Sequence, residues 1–387
     1  MSERREIKHV RGQAAVTFKS GDTFAGNYRI ISLIGQGGMG AVYRVHHMFL
    51  NREFALKTIP PEEVTQQSWQ RFQLEAKSVA KLEHRNMVKI YDLGVADGRI
   101  PFYVMDLLEG ESLSERLKRS GSLPVEEVLE VFAQVAEGLA FAHERGFVHR
   151  DIKPANIMLT HMGADNQPFK PVIKILDFGI AKLANPGMHE GAAVTQTGQI
   201  FGSPLYMSPE QCRGAEVDPR SDVYSIGCAI YETLTGAPPF MGDTALVTMV
   251  KHQKEVPLKL REASLGRDFP HSLEVVVERC LAKDKEDRYQ SAVALANDLR
   301  TIQSGKPIIM PSFAPRRTVE RRQQNDDEAS DYDEEYDEDI EETEEEEETQ
   351  DGIPKFMVVA ISVAVVLLLS ASGLLIYVLV TGQNLAP

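Results

Sequence analysis

A run of eight residues decides how this chain is interpreted: His149-Arg150-Asp151-Ile152-Lys153-Pro154-Ala155-Asn156. It follows a predicted helix over residues 125–145 and precedes the apolar pair Ile157-Met158. The helix is predicted from apolar residues that recur at helical spacing on one face, Val128, Phe132, Val135 and Leu139. The run is therefore predicted to be a charged connection between a helix and a short apolar segment.

A glycine-rich stretch near the start of the chain, Gly35-Gln36-Gly37-Gly38-Met39-Gly40, matches G-x-G-x-x-G, which is a weak signal alone. In a dinucleotide-binding fold these glycines would open a helix, but residues 41–45 alternate like a strand. Residues 28–35 and 41–45 therefore predict a hairpin whose glycine amides can approach phosphate oxygens. An ordinary glycine turn has the same pattern, so this stretch alone leaves both interpretations open.

Two charged residues follow the glycine stretch. Lys57 lies on a predicted strand, residues 53–59, and Glu75 on a predicted amphipathic helix, residues 68–82. If the glycine hairpin forms a lid over a nucleotide, Lys57 can act as a fixed positive charge for the nucleotide phosphates. Glu75 can then hold the ammonium group of Lys57 in place. Taken singly, the two residues are typical of a solvated strand end and a helix surface.

Further along the chain, Asp177-Phe178-Gly179 follows a strand-like stretch over residues 172–176, and Ser208-Pro209-Glu210 comes later. With these motifs in this order, the chain resembles the bacterial eukaryotic-like (Hanks-type) serine/threonine protein kinases. The resemblance covers residues 27–304. It implies an α+β, bilobal protein kinase fold: a small antiparallel sheet with one main helix over residues 27–107, and a larger, mainly helical lobe over 108–304.

The resemblance also implies catalytic and binding roles. Asp151 would accept the proton of the attacking hydroxyl, Lys153 would neutralise the transferred group, and Lys57, paired with Glu75, would hold the α- and β-phosphates. The implied ATP contacts are Ile34, Gly35, Gln36, Gly37, Gly38, Met39, Gly40, Ala41, Val42, Ala55, Lys57, Met105, Asp106, Leu108, Asn156 and Asp177. Asn156 and Asp177 would bind Mg²⁺, with Mn²⁺ as an alternative.

Structural and regulatory roles follow from the same resemblance. The implied structural residues are Phe178, Gly179, Glu210, Asp222 and Arg288, with Glu210 paired to Arg288. Thr195 and Thr197 are predicted autophosphorylation sites, which Arg150 would hold once phosphorylated. Ser203 stands where the family usually has threonine, and residues 161–171 lengthen the interval before Asp177, where they predict a long hairpin tip.

The net charge of −15 is concentrated in one segment. Eighteen carboxylates lie between Asp326 and Asp351, and the rest of the chain carries 42 basic and 39 acidic side chains. Residues 305–355 are therefore predicted to be a disordered linker, first rich in proline and arginine and then acidic. A spacer and a regulatory segment that docks on the kinase both fit this composition. Residues 1–26 are predicted to be a flexible tail.

Residues 356–380 carry no charged side chain. At about 1.5 Å per residue, such a helix outspans the roughly 30 Å core of a bilayer. The sequence therefore predicts a single-pass membrane anchor, a cytoplasmic kinase domain and a short extracytoplasmic tail, residues 381–387. Ala360 and Ala364 have a spacing that permits helix pairing, and hence a homodimer.

Three functions remain under comparison. Besides a membrane-anchored Ser/Thr kinase, the chain can be a catalytically weak or inactive kinase-like membrane scaffold, or a small-molecule phosphotransferase. The presence of Lys57, Asp151 and Asp177 disfavours the scaffold, and the Ser208-Pro209-Glu210 motif favours a protein substrate. The expected partners are ATP, proteins with Ser or Thr, and the membrane, with no nucleic acid. The three cysteines, Cys212, Cys228 and Cys280, are predicted to be free core residues.

Overall fold

Strands dominate the first part of the chain and helices the second in the computed structural model. It describes residues 17–37, 40–59, 81–97, 100–160, 171–177 and 204–308, and the backbone of two short strands before them. The strands are β1 Lys8–Val10, β2 Gln13–Ala15, β3 Thr23–Phe24, β4 Tyr28–Gly37, β5 Gly40–His47, β6 Arg52–Thr58, β7 Ile90–Ala96, β8 Ile100–Met105, β9 Gly110–Ser112, β10 Ile157–Thr160 and β11 Val172–Ile175. The helices are α1 Leu113–Ser120, α2 Val125–His143, α3 Pro209–Arg213, α4 Pro219–Thr235, α5 Ala245–Lys254, α6 Leu260–Ala263, α7 His271–Cys280 and α8 Ala292–Gln303.

Six of these strands form one antiparallel sheet in the order β3-β4-β5-β6-β8-β7. Side chains on a strand alternate between the two faces of a sheet. On β6, Phe54 and Leu56 therefore join one apolar cluster, whereas Ala55 faces the main core on the other side. We call the first group the outer cluster; it contains Phe18, Phe24, Tyr28, Ile30, Ala41, Tyr43, Val45, Phe54, Leu56, Ala96, Ile100, Phe102 and Val104.

The structure differs from the predicted flexible tail at residues 17–26. Phe18 and Phe24 are 6% and 2% exposed, and their rings pack edge to face with centroids 4.9 Å apart. The strand Thr23–Phe24 pairs with the start of β4. Burial of two aromatic side chains favours ordering of this segment by several kcal/mol, at about 1.5–3 kcal/mol each. The sequence was misjudged here because the aromatic residues are isolated among polar ones.

Helices α2 and α4 form the centre of the helical part. Twelve of the 19 residues of α2 are buried, so the helix is surrounded by other elements rather than lying on the surface. Helix α4 is capped at its start by Asp218, whose carboxylate accepts the backbone N–H of Arg220, and at its end by Gly236, which has a left-handed backbone. The side chain of Asp222, in the first turn of α4, is fully buried. This helix therefore carries a buried carboxylate into the centre of the molecule.

Three further strands form a second sheet in the order β11-β10-β9. Strand β10 begins directly after Asn156, and β11 ends just before Asp177. Because the two strands are antiparallel, with Ile157 opposite Ile175, they bring those two polar residues to the same end of the sheet. The strands flank residues 161–170, so the predicted hairpin agrees with their pairing, although its tip is outside the described residues.

Several predicted elements lie outside the described residues. These are most of the helix predicted over residues 68–82, the linker after residue 308, and the apolar segment 356–380. Within the part of the chain that the structure describes, no helix is long and apolar enough to cross a membrane. The three cysteines are free and buried, as predicted.

Candidate active site

The buried carboxylate of Asp222 holds the loop of residues 149–156 through hydrogen bonds to the backbone of the loop. Its Oδ2 accepts the backbone N–H of His149 at 2.8 Å, and its Oδ1 accepts that of Arg150 at 2.8 Å. Nε2 of His143 lies 2.7 Å from Oδ2 and donates to it. Burial raises the pKa of Asp222, but these donors outweigh burial and leave the pKa below its ordinary value. The backbone of Arg150 is left-handed, φ 64°, and this bond helps to hold it there.

His149 connects this loop to the residue before Asp177. Its Nδ1 accepts the backbone N–H of Asp151 at 3.2 Å, so the proton is on Nε2, which lies 2.8 Å from the carbonyl oxygen of Leu176. Burial lowers the pKa of His149, which keeps the ring neutral. The imidazole thus ties the two chain segments that carry the predicted catalytic residues.

Three predicted catalytic and ligand residues meet within the loop itself. The ammonium nitrogen of Lys153 lies 2.9 Å from Oδ2 of Asp151. The side-chain amide of Asn156 donates to the backbone oxygen of Asp151 at 2.8 Å and to its Oδ2 at 3.1 Å. These bonds orient the Asp151 carboxylate, and they leave the amide oxygen of Asn156 as the atom that can act as a ligand.

Asp177 joins this loop to the large sheet. Its Oδ2 lies 2.5 Å from the ammonium nitrogen of Lys57, and its Oδ1 accepts the hydroxyl of Tyr103 at 2.5 Å. Burial raises the pKa of Asp177, but the charge of Lys57 and the two hydrogen bonds lower this pKa by a larger amount. The net pKa is therefore below its ordinary value. The carboxylate is therefore ionised, and 28% of its side chain remains exposed to the cleft.

The inner face of the large sheet forms an apolar wall beside these charges. Ala55 pairs with Met105 across β6 and β8, and both are buried, while Val42 packs against the same core. The backbone N–H of Asp106 donates to the carbonyl oxygen of Lys89 at 3.0 Å, so the backbone carbonyl of Asp106 is the group that it can offer to a ligand.

Other predicted ATP contacts lie on or near this wall. Leu108 is half-buried, and Ile34, Gly35, Gln36 and Gly37 form an exposed arm of the lid hairpin. Ala41 differs from Val42, because its side chain belongs to the outer cluster and any contact of Ala41 with ATP would be through its backbone. The alternation of side chains along β5, which puts Val42 on the inner face, explains this difference.

Gly40 begins β5 with φ 117°, a conformation that side chains other than glycine rarely adopt. A Cβ atom at this position would lie 1.8 Å from the carbonyl oxygen of Thr58. The lid hairpin thus approaches β6 so closely that only glycine fits.

A buried ion pair joins Glu210, in helix α3, to Arg288, which precedes helix α8. The guanidinium of Arg288 donates two parallel hydrogen bonds to Glu210, at 2.7 and 2.9 Å, and both side chains are almost fully buried. Its other donors reach the backbone carbonyls of residues 220, 282 and 283. This geometry agrees with the predicted Glu210–Arg288 pair.

Comparison with known proteins identifies this arrangement. The pattern that defines the protein kinase domain matches residues 28–299. The chain belongs to the protein kinase family. The serine/threonine-protein kinases PknB of Mycobacterium leprae and of Mycobacterium tuberculosis are 37% identical to it over 288 and 290 residues. Each match covers 73% of this chain, which spans only 44% of the length of these relatives.

A solved structure supports the same assignment. The crystal structure of the Mycobacterium tuberculosis PknI kinase domain is 30% identical, with a TM-score of 0.57, and the match covers 74% of this chain and all of that domain. The bilobal α+β kinase fold predicted from the motifs is therefore confirmed.

The kinase domain has suitable ligands for a metal ion that shares phosphate oxygens. Asp177 and Asn156 supply hard oxygen atoms, and among the described residues each Asp177 oxygen accepts one donor, Lys57 or Tyr103. Among the described residues, no three His, Cys, Asp or Glu side chains form a cluster suited to a metal ion. Two protein ligands completed by phosphate oxygens are typical of Mg²⁺, so the residues present fit that ion.

The structure leaves part of the predicted site undescribed. Seven predicted site residues lie outside the described residues: Gly38, Met39, Glu75, Phe178, Gly179, Thr195 and Thr197.

Sequence reasoning assigned no role to three residues that bond directly to the site: Tyr103, His149 and Gln211. The side chain of Gln211 donates to the backbone oxygen of Arg150 at 2.9 Å and thereby connects the Ser208-Pro209-Glu210 motif to the loop of residues 149–156, the predicted catalytic loop. A polar residue in an apolar strand, such as Tyr103 in Ile-Pro-Phe-Tyr-Val-Met, was the available signal.

Proposed function

We propose that this chain is a serine/threonine protein kinase that transfers the γ-phosphoryl group of ATP to serine and threonine hydroxyls of proteins. The observation that carries this proposal is the convergence of Lys57, Asp177 and the 149–156 loop in one cleft. Phosphoryl transfer requires mainly positioning and neutralisation of charge, and this cleft supplies fixed positive and negative groups for both.

The large sheet and its glycine hairpin form the nucleotide side of the cleft. Ala55 and Met105 offer an apolar surface to adenine, and the carbonyl of Asp106 offers it a hydrogen-bond acceptor. Lys57 presents its ammonium group to the phosphates from a buried strand, where it is held at a fixed position. Mg²⁺, when bound by Asp177 and Asn156, offsets phosphate charge in this cleft.

The catalytic loop forms the substrate side of the cleft. Asp151 orients the attacking hydroxyl and accepts its proton. Lys153, bonded to Asp151, contributes a positive charge beside the transferred group. The sequence Asp151-Ile152-Lys153 resembles that of kinases directed at serine and threonine, which supports those hydroxyls as acceptors.

The Asp151→Asn variant tests this function. It preserves the shape of the side chain and removes the proton acceptor, so we expect incorporation of labelled phosphate from Mg²⁺-ATP to fall by about 10²–10⁴-fold. A chain that binds ATP but phosphorylates neither itself nor a mixture of proteins would instead be a kinase-like scaffold. Phosphorylation of small hydroxyl compounds, without transfer to protein, would indicate the small-molecule phosphotransferase.

We also propose that autophosphorylation at Thr195 and Thr197 activates the kinase. Arg150 lies directly before Asp151, so a phosphothreonine bound to its guanidinium would connect the loop to the catalytic carboxylate. We expect mass spectrometry to detect phosphate at these threonines in the parent chain but not in the Asp151→Asn variant. Full activity in a Thr195→Ala/Thr197→Ala double variant would contradict this proposal.

Finally, we propose that residues 356–380 anchor the kinase in a membrane with its catalytic domain in the cytoplasm. The support is the length of this uncharged segment and the basic residue Lys355, which flanks it on the side of the kinase domain. We expect the chain to resist alkaline extraction from membranes.

The matched test adds two arginines in different places. Leu368→Arg with Leu369→Arg would cost about 2.5–3.5 kcal/mol per residue at the centre of a membrane helix. This double variant is expected to shift to the soluble fraction, whereas Gln323→Arg with Gln324→Arg in the linker is not. An equal distribution of the two variants would refute the anchor.

A further inference from the structure

Tyr103 makes a contact that the roles described above do not require. Its side chain lies on the apolar strand β8 and is 2% exposed, yet its hydroxyl donates to Oδ1 of Asp177 at 2.5 Å. The strand register explains how it reaches that atom: Tyr103 is directly opposite Lys57 on β6. Directly opposed residues project to the same face of a sheet, so both side chains extend toward the cleft.

We propose that Tyr103 is a positioning residue that orients the Asp177 carboxylate as a metal ligand. The inference rests on the proposed function, because it takes Asp177 as the residue that binds Mg²⁺ with ATP. Lys57 holds one carboxylate oxygen, and Tyr103 holds the other. The terminal torsion of an aspartate is broad, so a single contact would leave the carboxylate plane free to rotate. Two donors, one on each oxygen, define that plane.

The burial of Tyr103 makes this contact persistent. Lys57 also lies near its ring, with the ammonium 5.9 Å from the ring centroid, and the strand around it is fully buried. Asp177 is the acceptor of the Tyr103 hydroxyl among the residues that the structure describes, and a buried hydroxyl that loses its acceptor is left unsatisfied, which is costly. The Tyr103 hydroxyl therefore requires Asp177 as its acceptor, whereas a phenylalanine would retain the packing and leave the carboxylate with Lys57 as its donor.

Hydrogen-bond partners of metal-binding side chains affect metal affinity directly. Removing such a partner typically lowers metal affinity or activity about 10–100-fold. The effect expected here is specific to the metal: without the hydroxyl, Asp177 must be reoriented when Mg²⁺ arrives. Nucleotide binding in the absence of metal does not require that orientation and is expected to be nearly unchanged.

The experiment compares the Tyr103→Phe variant with the parent chain. Calorimetric titration with a non-hydrolysable ATP analogue, in excess Mg²⁺ and in EDTA, yields the gain in affinity that the metal provides. We expect this gain to fall about tenfold in the variant, with the affinity in EDTA changed less than about twofold. Titration with Mn²⁺, followed by electron paramagnetic resonance in the presence of the analogue, should show the same weakening of the metal.

Tyr28→Phe is the matched control. Its hydroxyl also donates to an aspartate, Asp92 at 2.8 Å, but it lies in the outer cluster away from the cleft. We expect it to leave the metal-dependent gain unchanged. Circular dichroism would verify folding of each variant, and Tyr103→Met, which also lacks the hydroxyl, should reproduce the Tyr103→Phe result.

The Asp177→Asn variant separates this inference from the proposed function. If Asp177→Asn abolishes the metal-dependent gain while Tyr103→Phe retains it in full, the role of Tyr103 is refuted and the metal-binding role of Asp177 stands. If Asp177→Asn also leaves the gain unchanged, the assignment of the metal site fails. If Tyr103→Phe lowers the affinity for the ATP analogue equally with and without metal, the hydroxyl has a general structural role and the inference is refuted.

Discussion

The buried carboxylate of Asp222 can be tested by replacing it with asparagine. In the parent chain it accepts three donors, the backbone N–H groups of His149 and Arg150 and the Nε2–H of His143. An asparagine side chain has a single acceptor oxygen, and its NH₂ group must face at least one of these donors. The substitution therefore removes at least one charge-assisted bond and weakens the others, while the shape of the side chain is preserved.

The expected loss can be estimated from these bonds. One hydrogen bond to a charged group contributes about 1.5–3 kcal/mol, and the surviving bonds lose about half of their strength without the charge. Removal of a buried charge offsets part of this loss. We therefore expect the free energy of unfolding to fall by about 2–4 kcal/mol. Because Arg150 holds a left-handed backbone that costs about 1–3 kcal/mol, release of its N–H should let the catalytic loop relax.

Relaxation of the loop should lower kcat about 10–100-fold, with a smaller change in KM for ATP. The assays are urea unfolding of the full chain followed by circular dichroism, and phosphate transfer at varied ATP. Asp218→Asn is the control, because it lies at the start of the same helix and touches no residue of the catalytic loop. Asparagine caps a helix as well as aspartate does, so kcat should be retained. If Asp222→Asn unfolds within about 1 kcal/mol of the parent and keeps its kcat, the reasoning is refuted.

Three further predictions concern the ion pair and the lid. Arg288→Met should destabilise the fold by about 3–5 kcal/mol in urea unfolding, because it leaves Glu210 charged and buried, and adding Glu210→Met should recover part of the loss. Burial raises the pKa of Glu210, but the hydrogen bonds and charge of Arg288 lower it by more, so the net pKa is below its ordinary value. The ionised carboxylate therefore stabilises the fold above about pH 4.3, and this stabilisation is lost as the pH falls through the pKa of the folded state. The stability difference between the parent and Glu210→Gln should therefore shrink from pH 7 to pH 3, and a constant difference would contradict this. Gly40→Ala should destabilise by about 2 kcal/mol or more through its contact with Thr58, whereas Gly35→Ala, which has open space around it, should be nearly neutral in thermal melting.

Much of the fold was predictable because local patterns carry it. The strands around the glycine stretch and the helix predicted over residues 125–145 appear in the structure with ends shifted by a few residues. The side-chain direction of Ala41 and the packing of residues 17–26 were not predictable, for a different reason. Which face of the sheet a side chain occupies depends on the register of its neighbours, and an isolated aromatic residue signals burial only once the surface that covers it is known.

The predicted roles of the site residues came from the order of motifs along the chain. That order led to the prediction of Asp151, Asn156 and Asp177 as site residues, because each has a distinctive local sequence. It could not predict Tyr103, whose importance depends on an aspartate 74 residues away. No local sequence pattern between Tyr103 and Asp177 predicts their contact.

The sequence by itself determined the family, the chemical types of the predicted catalytic groups, and the presence of an acidic segment and an uncharged segment after the kinase domain. Only the tertiary structure decided how the charges are held: Lys57 and Tyr103 on the two oxygens of Asp177, and Asp222 beneath the catalytic loop. The physical reason is that a motif specifies which groups are present, whereas their hydrogen bonds depend on strand register and on loops that close over long separations in the chain.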